Sequence, residues 1–446
     1  MALGFADIPA TPAFRLLNLR VPGAMLGAGT IALDRERLAR IDLVVEDGRI
    51  VSILPAGTDS LAEGLPAYDA DGGIALARPV DIHTHLDKGH IWPRTPNPDG
   101  TFMGALNAAG ADREAHWAAA DVATRMDFAL RCAFAHGTSA IRTHLDSGGK
   151  QAAISWPVFD EMRSEWAGRI ALQAASIYAI DMALDEPELF DAMVATVARH
   201  GGVLGGVTYL GHAPNERTVA ALEHIFHAAT VHGLDLDFHV DESGDDGART
   251  LETIADVALR TRFAGRILCG HCCSWARASD DDLARLIDKM ARTTMAVVSL
   301  PMCNLYLQDR RPGRTPRWRG VAPLHEFVAA GIPVMVASDN TRDPFYAYGD
   351  LDPIELAREA TRILHLDHGG PDIAAMIGPT PADIMDIGAG RIAAGGRADL
   401  VLTRARCLTE FLARPQSDRT VLVAGRAIDT TLPDHRELDA LLGARA

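Results

Sequence analysis

A chain of 446 residues with 48% hydrophobic content has enough material for a large buried core, such as one large α/β domain with a smaller one beside it. Its formal charge of −16, from 59 acidic against 43 basic side chains, disfavours nucleic acid or an anionic membrane surface as the main partner. No apolar stretch approaches the roughly 18 residues of a membrane-spanning helix, and six cysteines without a leader-like amino terminus point to a reducing cytoplasm.

Residues 1–75 are short β-leaning pieces punctuated by Gly and Pro. The run 42–53 reads as two strands joined at Asp47-Gly48, a strong hairpin signal. An apolar run over 73–80 then leads into Asp81-Ile82-His83-Thr84-His85-Leu86-Asp87-Lys88. Strand side chains alternate faces, so His83 and His85 point to the same side and can grip one metal ion from a strand end. Lys88 and Asp87 read as a pair at the mouth of the site, with no chemical role. Further strands are expected near 138–144, 169–177, 203–209, 234–239, 265–271, 294–299 and 332–338. Amphipathic helical segments over 119–135, 184–200, 217–232, 248–261, 280–291 and 353–366 lie between and after them. Eight such units are the count of a TIM-type (β/α)8 barrel, whose chemistry gathers at the strand C termini. Short strands return over 396–402 and 421–428. Both chain ends, 1–75 and 386–446, are therefore expected to build one small β-sandwich domain beside a barrel domain over 76–385.

Polar residues sit where the apolar runs stop: His144 and Asp146, then His239, Asp241 and Glu242, then His271, then Asp339 and Asn340. His144 could contact substrate or only orient its neighbours. Cys269, Cys272 and Cys273 have the spacing of a metal or redox motif, but no second CxxC accompanies them and Cys269 lies inside a strand, so packed thiols are expected. The basic run 310–320 reads as a loop after the seventh strand, either over the site mouth or simply solvated.

The ordered set HxHLD at 83–87, RTHLD at 142–146, DFHVDE at 237–242, His271 and SDN at 338–340, followed by RDPFYAYG at 342–349, resembles the amidohydrolase superfamily, and within it the cytosine deaminase-like branch. The resemblance implies that His83, His85, His239 and Asp339 hold a single divalent metal ion, zinc, iron or manganese. It also implies that Glu242 shuttles protons and that His271 sits beside the metal-bound water. The expected fourth strand has no lysine to carboxylate, which argues against a dinuclear centre. Such an ion lowers the pKa of bound water toward neutrality. Asp339 is then placed to take its proton, and His271 to orient the attacking oxygen. Glu242, three residues past His239, must be aimed by a turn.

The sequence departs from cytosine deaminases in two places. No glutamine stands near Tyr178-Ala179, and Asn340 occupies the place of a second aspartate, so a different hydrogen-bonding edge is read. HxHxDK and SDN also resemble the aminohydrolase that removes an alkylamine from N-isopropylammelide. Tyr178, Gln308, Asn340 and Phe345 are the candidate substrate contacts. The expected activity is hydrolytic deamination of an amino-substituted nitrogen heterocycle, a small pyrimidine, triazine or pterin-like ring, with release of ammonia. Removal of an alkylamine or opening of a cyclic amide by the same centre is the alternative. A catalytically silent scaffold would have lost ligands that are all present here. Whether the protein is a homo-oligomer stays open.

Overall fold

Asp47 and Gly48 both take positive φ, 48° and 77°, and turn the chain back so that Glu46 pairs with Arg49, the two-residue hairpin their sequence predicts. In the computed structural model, which describes residues 7–27, 31–58, 62 and 64–443, this hairpin belongs to a four-stranded sheet. Its strands are β1 (Ala13–Pro22), β2 (Leu38–Glu46), β3 (Arg49–Pro55) and β4 (Ala67–Asp69), in the order β3-β2-β1-β4. The next strand, β5 (Ala75–Ala77), pairs instead with a strand more than 300 residues away in the chain, β14 (Leu400–Leu402). With β15 (Thr420–Val423) and β16 (Arg426–Ala427) they form a second sheet, β16-β15-β14-β5. The run 421–428 is thus two short strands with a turn at its glycine, as the sequence predicts. Ala424 and Gly425, at φ 48° and 74°, fold it into a hairpin in which Val423 faces Arg426.

Between these sheets lie eight parallel strands in two groups. β6 (Val80–Thr84), β7 (Ala140–Asp146) and β8 (Ala171–Ile177) form one; β9 (Leu204–Val207), β10 (Leu236–Val240), β11 (Ile267–His271), β12 (Met295–Ser299) and β13 (Val334–Val336) form the other. Isolated parallel bridges connect the groups at both edges. Ala175 meets Val203 and Ala179 meets Val207 on one side, and Thr84 meets Asp339 on the other, where Asp339 N donates to His83 O at 2.9 Å. β6, β10, β11, β12 and β13 are buried at every residue; β11, β12 and β13 are accordingly near-continuous apolar runs, whereas β6 and β10 alternate apolar residues with the buried Asp81, His83, Asp237 and His239. The predicted helices are found as Ala119–His136, Pro187–Arg199, Glu216–His232, Thr250–Thr261, Asp280–Met290 and Pro353–Leu364. Helices Phe102–His116, Ala152–Glu165 and Pro301–Leu307 add to them. Among the described residues no helix is long and apolar enough to cross a membrane.

A buried ionic network ties the loop after β6 to the two helices that follow. Asp112 accepts from Arg94 (2.8 Å, twice), Thr95 (2.7 Å) and Trp117 (2.8 Å). Asp121 accepts from Arg94 and Arg125, each at 2.6 Å. Arg125 also donates to the carbonyls of Asp87 (2.6 Å) and Gly89 (3.0 Å), fixing the backbone just past the HxH pair.

Candidate active site

The strand ends bring five imidazoles together. Ligand atoms of His83, His85, His144 and His239 all lie within 4.8 Å of one another, as do those of His83, His271 and Asp339. Asp339 Oδ1 is 3.5 Å from His83 Nε2 and 3.2 Å from His85 Nε2, and His85 Nε2 is 3.2 Å from His239 Nε2. Gly270 makes room for this crowd: a Cβ there would stand 3.0 Å from Cε1 of His83. Burial first, then the neighbouring imidazoles and Lys88, hold His83, His85 and His239 well below the ordinary histidine range, so they are neutral lone-pair donors. Both His83 nitrogens and both Asp339 oxygens lack a hydrogen-bond partner. Neutral nitrogens and a carboxylate oxygen, orphaned and packed into one small volume, fit a divalent cation.

The His144 ring lies 4.0 Å from that of His83, tilted by 38°. Its Nε2 lies 3.1 Å from Asp237, whose other oxygen accepts from Arg142 at 2.8 Å.

The turn expected after His239 is made by Asp241, at φ 50°. Its carboxylate is clamped by Thr250 N (2.9 Å), Leu251 N (3.0 Å) and Trp275 Nε1 (2.9 Å), so the next residue, Glu242, is thrown toward the cavity. Glu242 Oε1 stands 3.4 Å from both Asn304 Nδ2 and His271 Nδ1. Asn304 Nδ2 also donates to His271 Nδ1 at 3.0 Å, which leaves the ring hydrogen on Nε2, a buried atom with no partner. His271 and Asp339 themselves sit at φ 68° and 64°, sparsely populated for non-glycine residues and typical of constrained sites. Burial, reinforced by Asp339 and opposed by Lys88, drives the Glu242 carboxyl well above the carboxylate range. Burial likewise pushes Asp339 up to about 7 and His271 down to about 3.

His85, His239, Glu242 and His271 face a cavity of about 1030 Å³ that Tyr178, Gln308, Asn340 and Phe345 also line, with Leu106, Ile177 and Met182 as apolar wall. The Tyr178 hydroxyl is buried and unpartnered. Asn340 is less free than its sequence position suggests, because its amide donates to Asp343 at 2.7 Å. Gln308 Nε2 reaches the Glu242 carbonyl at 3.5 Å.

One expectation fails. Lys88 and Asp87 do not pair: Asp87 Oδ2 accepts from Asp146 N (2.8 Å) and Ser155 Oγ (3.1 Å), while the Lys88 ammonium lies over the Phe345 ring, 4.9 Å from its centroid. The basic run 310–320 contributes no side chain to the cavity wall. Its arginines are spent locally, Arg314 on Asp309 and Arg319 on the Ile363 carbonyl, and Trp318 packs against Gly244. Cys269, Cys272 and Cys273 are buried free thiols.

Asn304 was missed by the sequence reading, and Asp241 was noted at its strand end without its part in aiming Glu242. The available signals were an asparagine within an otherwise apolar run just past a strand, and a second acid beside Glu242.

A model described as the amidohydrolase family matches residues 172–429. Pterin deaminase of Rhizobium rhizogenes is 53% identical over 448 residues, covering 100% of each chain. N-isopropylammelide isopropyl amidohydrolase of a Pseudomonas species is 25% identical over 313 residues, 67% of this chain and 71% of that one. Among solved structures, 5-methylcytosine deaminase from Klebsiella pneumoniae liganded with 5-fluorocytosine matches with a TM-score of 0.78 at 22% identity, over 93% of this chain and 97% of that one, a likeness of fold.

Proposed function

The chain belongs to the amidohydrolase family and is a hydrolytic deaminase, and from that premise we propose that it acts on a pterin, a 2-amino-4-oxopteridine ring, replacing the exocyclic amine with a carbonyl and releasing ammonia. The observation that carries this reading is the full-length 53% identity to a pterin deaminase. A cavity of about 1030 Å³ is ample for a bicyclic ring, and its apolar wall suits a flat heterocycle. In this reading residues 76–385 form a closed (β/α)8 barrel, supported by the bridges at both edges of the parallel strands. The segments 1–75 and 386–446 form the small β-sandwich domain.

His83, His85, His239 and Asp339 would hold one divalent ion, zinc, iron or manganese. Bound there, the ion supplies Lewis acidity that makes water a nucleophile near neutral pH. Asp339 accepts the proton of the attacking water. His271, with Nε2 as donor, hydrogen-bonds the incoming oxygen. Glu242, kept protonated by burial, gives its proton to the ring nitrogen beside the reacting carbon and makes that carbon electrophilic. Glu242, now a carboxylate, takes the remaining hydroxyl proton as the carbonyl forms and passes it to the exocyclic nitrogen, which leaves as neutral ammonia; the proton held by Asp339 then restores Glu242.

The test is ammonia release from pterin by the metal-loaded protein, compared with cytosine and with aminated triazines. Pterin consumed with one equivalent of ammonia supports the reading; silence with pterin and turnover of another ring replaces it. The relative from Pseudomonas favours a second reading, loss of an alkylamine by the same centre. Substrate loss without ammonia would favour that reading.

A further inference from the structure

Lys88 is 6% exposed and lines the cavity, yet among the described residues its ammonium makes no hydrogen bond and no ion pair within 4.0 Å. Its one close partner is the Phe345 ring face, at 4.9 Å. Arg113, the other Lys or Arg in the wall, is paired, with Asp146 at 3.4 Å and Glu114 at 3.6 Å. The position of Lys88 is not an accident of a loose loop. Arg125 holds the carbonyls on either side of it, Leu86 N donates to Thr143 Oγ1 at 2.9 Å, and Gly89 N donates to His85 O at 3.1 Å. A buried, unpaired ammonium is costly, and the cost is offset only when something brings it an acceptor. Neighbouring acceptors do not hydrogen-bond it: Asn340 Oδ1 accepts from Cys303 Sγ at 3.7 Å, Asp87 Oδ2 has turned to Ser155 and the Asp146 amide, and the Glu242, Asp339 and Asp343 carboxylates bear on the ammonium only through space.

We propose that Lys88 is a specificity-determining residue that reads the substituent on the ring carbon beyond the nitrogen flanking the reacting amidine, accepting an oxo group there and rejecting an amino group. The inference rests on the pterin reading for the identity of the ring. An ammonium offers three donors and no acceptor, so it matches a carbonyl oxygen and clashes with an amine that is itself a donor. With the aromatic face of Phe345 against it, the donors are left for the cavity. The same contact strengthens as nucleophilic addition pushes electron density onto the ring and its oxygen.

The experiment compares the metal-loaded wild type with Lys88→Met on pterin and on 2,4-diaminopteridine, scoring kcat/KM by ammonia release with the product ring identified. The wild type should prefer the oxo ring. In Lys88→Met that preference should collapse on the order of tenfold to a hundredfold, the value of a hydrogen bond to a charged group. The diamino ring should be processed at least as well as by the wild type, and the Tm of the variant should rise because an unpaired buried charge is gone. A fall in Tm with both rings slowed equally would mean that Lys88 is structural and overturn the inference. Lys88→Gln, which can both donate and accept, should lose discrimination as well; if neither variant folds, the inference also falls. A wild type silent on both rings sinks the pterin reading instead. The Tm of Lys88→Met then still decides whether the ammonium is unpaired, a rise supporting that premise and a fall overturning it.

Discussion

Two clusters of buried charge lie within one loop of each other and obey opposite rules. Around Arg94, the carboxylates of Asp112 and Asp121 are saturated by donors from Arg94, Arg125, Thr95 and Trp117. At the strand ends, His83, His239, His271, Asp339 and Tyr178 keep buried polar atoms with no partner, and Lys88 keeps an unpaired charge. The strand-end cluster is the more deeply buried of the two yet the less satisfied, so satisfaction is the informative variable. The first cluster is complete in the chain itself and serves to hold backbone. The second is complete only with something added, and that incompleteness marks it as the place of chemistry.

The contrast breaks most decisively if the second cluster works without its missing component. Stripping metal with a chelator should abolish ammonia release, and zinc, iron or manganese should restore it; activity that survives verified metal removal would sink the centre. Next in size, Glu242→Gln should lose on the order of 10² to 10⁴ in kcat while elemental analysis finds the same metal content as in the wild type. Asp121→Ala tests the saturated cluster from the other side. Leaving Arg125 buried without its carboxylate should cost about 3 kcal/mol or more in denaturant unfolding, and a variant as stable as the wild type would show that the network is ornamental. Asn304→Ala should cost about tenfold in kcat through loss of the His271 tautomer, with a changed pH–rate profile as its signature.

The smallest effect is an acid one. Burial pushes the Asp112 carboxyl up, but donation from Arg94, Thr95 and Trp117 outweighs it and leaves the group below its ordinary value. A depressed folded pKa contributes stability that is fully present above the unfolded value of about 4. That stability is lost as the pH falls through the folded pKa. Asp112→Asn should therefore flatten the loss of Tm between about pH 4 and more acidic buffers.

The parallel strands were legible from short apolar-rich runs, continuous in β11 to β13 and alternating in β6 and β10, that end in polar residues. His239 and His271 illustrate this, and His83 with His85 adds the alternation of a strand. What was hidden depended on contacts between distant segments. Nothing in the local pattern says that Asp241 will be clamped by Thr250 and Trp275, or that Asn304 will reach across to His271. Lys88 was misread for the same reason, since adjacency to Asp87 in sequence suggested a pair that Ser155 and the Asp146 amide forestall. The turn within 421–428 was legible from Gly425, beside which Ala424 also takes positive φ.

The pairing of β5 with β14 has a consequence for the order in which the molecule is made. Residues 75–77 leave the ribosome long before their neighbour at 400–402 exists, so this edge stays open while the intervening segments are synthesised. A nascent chain arrested anywhere before residue 400 should expose that edge to proteases and chaperones, and the last few dozen residues should act as a clasp.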